Sequence, residues 1–189
     1  MPGYQLGMMF ARSILVSAAM VAATAAVAGA ATLSASDRSF VEQAMTGNSS
    51  EIRQGQVFGD SSDPLVASFA KRMVQDHGEA NTQLIALAHS DGIHVGSGQL
   101  PVFPAPAATQ NADLSPQQKA KIMSGLPPVA FFTQAVHVHE QAIALYKHEI
   151  ATGTNSQVVA YARHTLPVLE SHLALAQKDL RKEKAEHHG

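Results

Sequence analysis

The chain has 189 residues, 46% of them hydrophobic and only 15% charged, with a net charge of −2. That balance leaves no basic footprint for nucleic acid. The absence of cysteine excludes disulfides, thiolate-ligated zinc, iron–sulfur clusters and thiol catalysis.

The N-terminus reads as a targeting segment. Arg12 precedes an uncharged run from Ser13 to Thr32, rich in Ala and Val, with small residues at Ala26-Val27-Ala28 and Ala28-Gly29-Ala30 that suit an exporting signal peptidase. Residues 1–30 are therefore expected to be a signal peptide. An uncleaved anchor is the alternative, since the run has the length to span a bilayer, but Ala inserts weakly. No Cys follows the run, which excludes a bacterial lipoprotein anchor. The expected location is the periplasm, free or associated with the outer membrane, with no membrane span after cleavage.

Beyond this segment the apolar residues recur at helical spacing and alternating strand patterns are absent. The first helix is expected over about 36–58, with Phe40, Ala44, Gly47, Glu51, Gly55 and Phe58 on its inner stripe. Its glycines lower helix propensity and permit close packing of a neighbour. A turn from Gly59 to Pro64 follows, in which Asp63 caps the second helix and Pro64 fills its first position. That helix is expected over 64–91, with Phe69, Met73, His77, Ala80, Leu84 and Leu87 inward and Gly92 ending it.

Residues 92–127 form a Gly/Pro/Ala-rich connection. Within it, Ser115-Pro116-Gln117-Gln118 matches a capping box and predicts a short helix. Pro127-Pro128 opens a helix over 128–152 with Phe132, Val136, His139, Ile143, Tyr146 and Ile150 inward. Thr154 with Gln157 predicts the cap of the last helix, 155–181, which buries Val158, Tyr161, Thr165, Val168, His172 and Ala176. Pro167 should kink that helix about one turn before His172. The mixed-sign stretch Lys178 to Glu186 reads as a solvated helix end, and residues 183–189 as a charged tail outside a domain spanning 34–182. The fold class is all-α: two helical hairpins joined by a long connection into a four-helix bundle.

Four polar residues fall on apolar stripes, one per long helix: Glu51, His77, His139 and His172. A buried polar group without a partner costs about 1–3 kcal/mol, so these must be paired or bound to an ion. Axial positions counted at about 1.5 Å per residue place all four in a central band roughly 11 Å deep if the hairpin turns lie at opposite ends of the bundle. Turns at the same end spread them over about 14 Å by the same count. The spacing favours a connection that crosses the length of the bundle.

The segments Phe69-Ala70-Lys71-Arg72-Met73-Val74-Gln75-Asp76-His77 and Thr165-Leu166-Pro167-Val168-Leu169-Glu170-Ser171-His172-Leu173 carry a resemblance. Together with Thr46–Ile52 and His139–Tyr146, they are similar to bacterial domain-of-unknown-function family 4142. The resemblance spans about Phe40 to Gln177 and implies an exported, ferritin-like four-helix bundle. It carries no di-iron chemistry with it. Ferritin-like di-iron sites place a Glu three residues before a ligating His on each of two helices. Here those positions hold Val74 and Leu169.

Three imidazoles and a carboxylate suit one transition-metal ion: iron, manganese, copper or zinc. Asp76, Glu140 and Glu170 are the candidates to hold the imidazole rings from behind. The competing reading is a hydrogen-bonded polar layer that fixes helix register. The expected role is a periplasmic bundle that binds a metal ion or supports envelope stress tolerance. The alternatives are a metal-dependent redox enzyme acting on oxygen species and a metal-free module for an envelope partner or a second copy of the chain. His89, His94, His137, His148, His164, His187 and His188 fall off the stripes, and Met45 and Met73 read as core. Phosphate loops and nucleotide fingerprints are absent, and no residue is assigned to catalysis.

Overall fold

The structure, a computed structural model, describes residues 33–90 and 114–186. The expected signal segment, most of the connection and the last residues of the tail, with His94, His187 and His188, lie outside them.

Each helix begins where its cap dictates. Ser34 and Asp37 close a reciprocal capping box on α1 (Ala35–Phe58). In α2 (Pro64–Ser90) the Asp63 carboxylate accepts from the backbone N–H of Leu65 and Val66, both at 2.9 Å. The Ser115–Gln118 box opens the short α3 (Pro116–Ser124), as its sequence predicts. Helix α4 (Pro128–Thr152) starts on its proline, and α5 (Ser156–Glu186) continues as one helix through Pro167.

The predicted cap of α5 requires correction. Asn155, not Thr154, accepts from the backbone N–H of Gln157 and Val158. Thr154 instead serves Asp37 of α1. Its hydroxyl donates to that carboxylate at 2.6 Å, and its backbone N–H donates to it at 2.9 Å. The start of α1 is thereby tied to the α4–α5 turn. The α1–α2 turn lies at the opposite end, where Lys119 of α3 pairs with Asp60. The two hairpin turns are thus at opposite ends of the bundle, as the spacing of the four polar residues favours, the turn placement of bundles with one long crossover. Besides the hairpin contacts, α2 packs on α5 and α1 on α4.

The core has two apolar clusters. One gathers Phe40, Leu84, Ile143, Tyr146, Tyr161 and Leu169. The other gathers Phe58, Phe69, Met73, Phe131, Phe132 and Ala176. Along each helix a histidine separates them: His77 between Met73 and Leu84, His139 between Phe132 and Ile143, and His172 between Leu169 and Ala176. Gly55 lets α1 and α2 approach closely, because a Cβ there would stand 2.5 Å from the Ala70 carbonyl oxygen.

The expected stripes shift in places. On α1 Asn48 is buried and Gly47 only partly so. On α5 Leu169 is buried in place of the expected Val168. The end of α5 is not wholly solvated: the stripe through His172 and Ala176 continues by helical spacing to Asp179 and Glu183, both buried.

Candidate metal centre

Three histidines meet at the level between the apolar clusters. His77 of α2, His139 of α4 and His172 of α5 are all buried, the last two completely. Their ring centroids lie 5.8, 5.3 and 5.3 Å apart. One ring nitrogen from each falls within 4.8 Å of the other two. Phe69 closes one side, its ring edge-on to His139 at 6.1 Å.

The other nitrogen of each ring is tied down. His77 Nδ1 lies 3.0 Å from Asn48 Oδ1, and His139 Nδ1 lies 2.8 Å from the Ala135 carbonyl oxygen. His172 Nε2 lies 2.8 Å from Asp76 Oδ2. All three partners are acceptors, so each of these nitrogens carries the proton and donates it. That leaves His77 Nε2, His139 Nε2 and His172 Nδ1 as bare lone pairs, and these buried atoms have no hydrogen-bond partner among the described residues. Anchoring the far nitrogen of a ring fixes both its tautomer and its orientation, as in protein metal sites.

The rings are held neutral. Burial lowers His77 to about 3, and the neighbouring His172 and His139 add to the effect. Burial lowers His139 to about 4 against its bond to Ala135. Burial also lowers His172, with Asp76 opposing. The Asp76 carboxyl is itself partly desolvated, yet the hydrogen bonds from His172 and Arg72 hold it below the usual range. Arg72 Nε reaches Asp76 at 3.2 Å and its terminal nitrogen reaches Ser171, so the carboxylate is clamped where α2 meets α5.

The fourth expected ligand is placed differently. Glu51 is buried, but it does not belong to the set of converging atoms. Burial alone raises its carboxyl to about 7. The α1 residue that faces the histidines is Asn48, one helical turn earlier. Stripe spacing passes over Asn48 because its neighbour Gly47 fits the count. Of the three carboxylates expected behind the rings, Asp76 is there. Glu140 is exposed, and Glu170 is also exposed, paired with Lys147 at 3.0 Å. His89, His137, His148 and His164 are exposed, as expected.

Residues 22–178 match the family described as Domain of unknown function (DUF4142), and the chain belongs to that family. No curated protein and no solved structure matches the chain. Among the described residues no helix is long and apolar enough to cross a membrane.

Proposed function

We propose that this DUF4142 chain is an exported periplasmic bundle that holds one divalent transition-metal ion through His77 Nε2, His139 Nε2 and His172 Nδ1. One observation carries the reading: three buried lone pairs converge without a partner among the described residues, while the opposite nitrogen of every ring is hydrogen-bonded. A polar layer built only to fix register would direct these atoms at one another's protons. Three deprotonated nitrogens facing each other have no proton to share, and they repel unless a cation sits between them.

Three neutral imidazoles suit zinc, copper, nickel or ferrous iron better than manganese, which favours oxygen ligands. Asp76 supplies a negative charge behind His172 that offsets part of the ion's own. Three protein ligands leave a further coordination position for water or a substrate. That position favours a second reading, a metal-dependent redox enzyme acting on oxygen species. The primary reading is metal binding by the bundle, with envelope stress tolerance as the physiological setting. Export is supported by the run from Ser13 to Thr32, and N-terminal sequencing of the secreted protein tests it: a mature chain starting near Ala31 is expected, and one retaining residues before Ala26 contradicts it.

Metal content tests the main reading. The protein purified without a metal column should contain an ion that chelation removes, with a fall in melting temperature. An ion-free protein whose melting is indifferent to chelator and to added zinc would overturn it.

A further inference from the structure

The contact behind His77 continues further into the bundle than those behind the other two rings. Asn48 Oδ1 accepts from His77 Nδ1, and the same amide donates through Nδ2 to the Tyr161 hydroxyl at 3.4 Å. The Tyr161 hydroxyl lies 3.3 Å from that of Tyr146. All four side chains are buried. The chain runs from the metal-facing layer on α2, through α1 and α5, to α4. Phe40 holds both phenol rings edge-on, at 5.0 Å from Tyr146 and 6.4 Å from Tyr161.

We propose that Asn48 and Tyr161 are positioning residues for the metal: Tyr161 fixes which way the Asn48 amide faces, and Asn48 thereby fixes the tautomer of His77. The physical requirement is specific. An Asn amide can turn over, and the turned form would present NH2 to His77 Nδ1, which must then become the acceptor. The proton would move to Nε2, the atom that has to hold the ion. The Tyr161 hydroxyl opposes this when its own proton is given to Tyr146, because its oxygen then offers the Asn48 NH2 only an acceptor on the side away from His77. Burial and its phenol neighbour hold the Tyr146 hydroxyl protonated well above its ordinary range. A bound cation would in turn sharpen the His77 Nδ1 donor and strengthen every link behind it.

This inference rests on the metal reading above, and its test separates the two. Cobalt(II) serves as the probe, since its visible spectrum reports ligand type and geometry. It is titrated into the metal-free wild type, Asn48→Leu, Asn48→Asp and Tyr161→Phe. Asn48→Leu should weaken cobalt binding about 10- to 100-fold, as loss of a partner behind a ligating His commonly does. Asn48→Asp, which keeps an acceptor for Nδ1–H and cannot turn over to a donor, should restore it. Tyr161→Phe removes a single oxygen and should weaken binding about threefold or more, the loss of one neutral hydrogen bond. A purely structural role would lower the melting temperature of these variants without separating Leu from Asp in affinity. If Asn48→Leu fails to fold, Tyr161→Phe and Asn48→Asp decide the matter. Wild-type affinity and spectrum in all variants would overturn the positioning role alone. Failure of the wild type to bind cobalt would overturn it together with the metal reading.

Discussion

His172 Nε2 and Asp76 Oδ2 stand 2.8 Å apart across the α2–α5 contact, a fully buried imidazole against a carboxylate that keeps a quarter of its surface in solvent. The pairing turns His172 so that Nδ1, not Nε2, faces His77 and His139. Replacing Asp76 with Ala should weaken zinc affinity about 10- to 100-fold. It should also destabilise the metal-free protein by about 1–3 kcal/mol, because the buried Nε2–H loses its acceptor. Zinc calorimetry and urea unfolding read the two effects separately, and unchanged zinc affinity would remove Asp76 from the site.

Acid should unfold the metal-free bundle through its histidines. All three are lowered below the ordinary 6.5, His77 to about 3 and His139 to about 4, so the unfolded chain binds more protons and stability is lost as pH falls below about 6.5. Glu51 and Glu149 act in the opposite sense. Burial raises both from 4.5 to about 7, with Asp37 adding to the shift of Glu149, so their contribution is lost as pH rises through 4.5 to 7. The two effects oppose one another between about 4.5 and 6.5, and below that window the histidines act together with Asp37 and Asp76, whose lowered carboxyls also lose their contribution as pH falls. Urea midpoints should therefore fall steeply below about pH 4.5. Bound metal should resist the loss until protons displace it.

Glu149→Gln isolates the carboxyl half of that balance. Glu149 sits beside Asp37 at the α4–α5 turn, in space left by Gly153, where a Cβ would collide with its carboxyl. Ionising Glu149 next to Asp37 opposes folding, and an amide cannot ionise. The variant's urea midpoint should rise relative to wild type between pH 5 and pH 8. A difference that is flat or falls over that range would contradict the assignment.

Two glycines of α1 should respond oppositely to alanine. At Gly55 a Cβ would stand 2.5 Å from the Ala70 carbonyl oxygen and 2.6 Å from Val74 Cγ2, and backbone cannot yield cheaply. Gly55→Ala should cost about 1–3 kcal/mol. At Gly47 nothing lies within 4 Å of the added methyl, so Gly47→Ala should stabilise by about 0.5–1 kcal/mol through helix propensity. Thermal melts of the two variants check the contrast.

The histidine trio is legible in the sequence because each member occupies an inward position at i, i+3 or i+4 from large apolar neighbours that fix its face. Helix α1 has no such reference over its middle turn. Gly47 offers no side chain to bury, so a stripe counted through it is rotated by one residue, and Asn48 stays hidden behind it. Glu51 is buried as its stripe position predicts, but burial on a stripe says nothing about which turn faces a partner. Among the carboxylates, one residue's step around a helix is about 100°. Asp76 and Glu140 lie one residue from a histidine of the trio and Glu170 lies two; of these three only Asp76 meets a ring, while Glu140 faces solvent and the exposed Glu170 pairs with Lys147 of α4. The charged end of α5 misleads by composition: Asp179 and Glu183 continue the apolar stripe, and their charge conceals the spacing. Thr154 misleads because its hydroxyl serves Asp37 from α1, a long-range contact that no local capping pattern contains.

The most direct test of the metal centre is elemental analysis of the mature protein, purified without a metal column, for wild type and the His77→Ala/His139→Ala variant. About one equivalent of a single transition metal in the wild type, lost in the variant, is the predicted result for one site built on three imidazoles. Absence of metal from both, with the variant merely less stable, would contradict the account and make the histidine layer a device of packing.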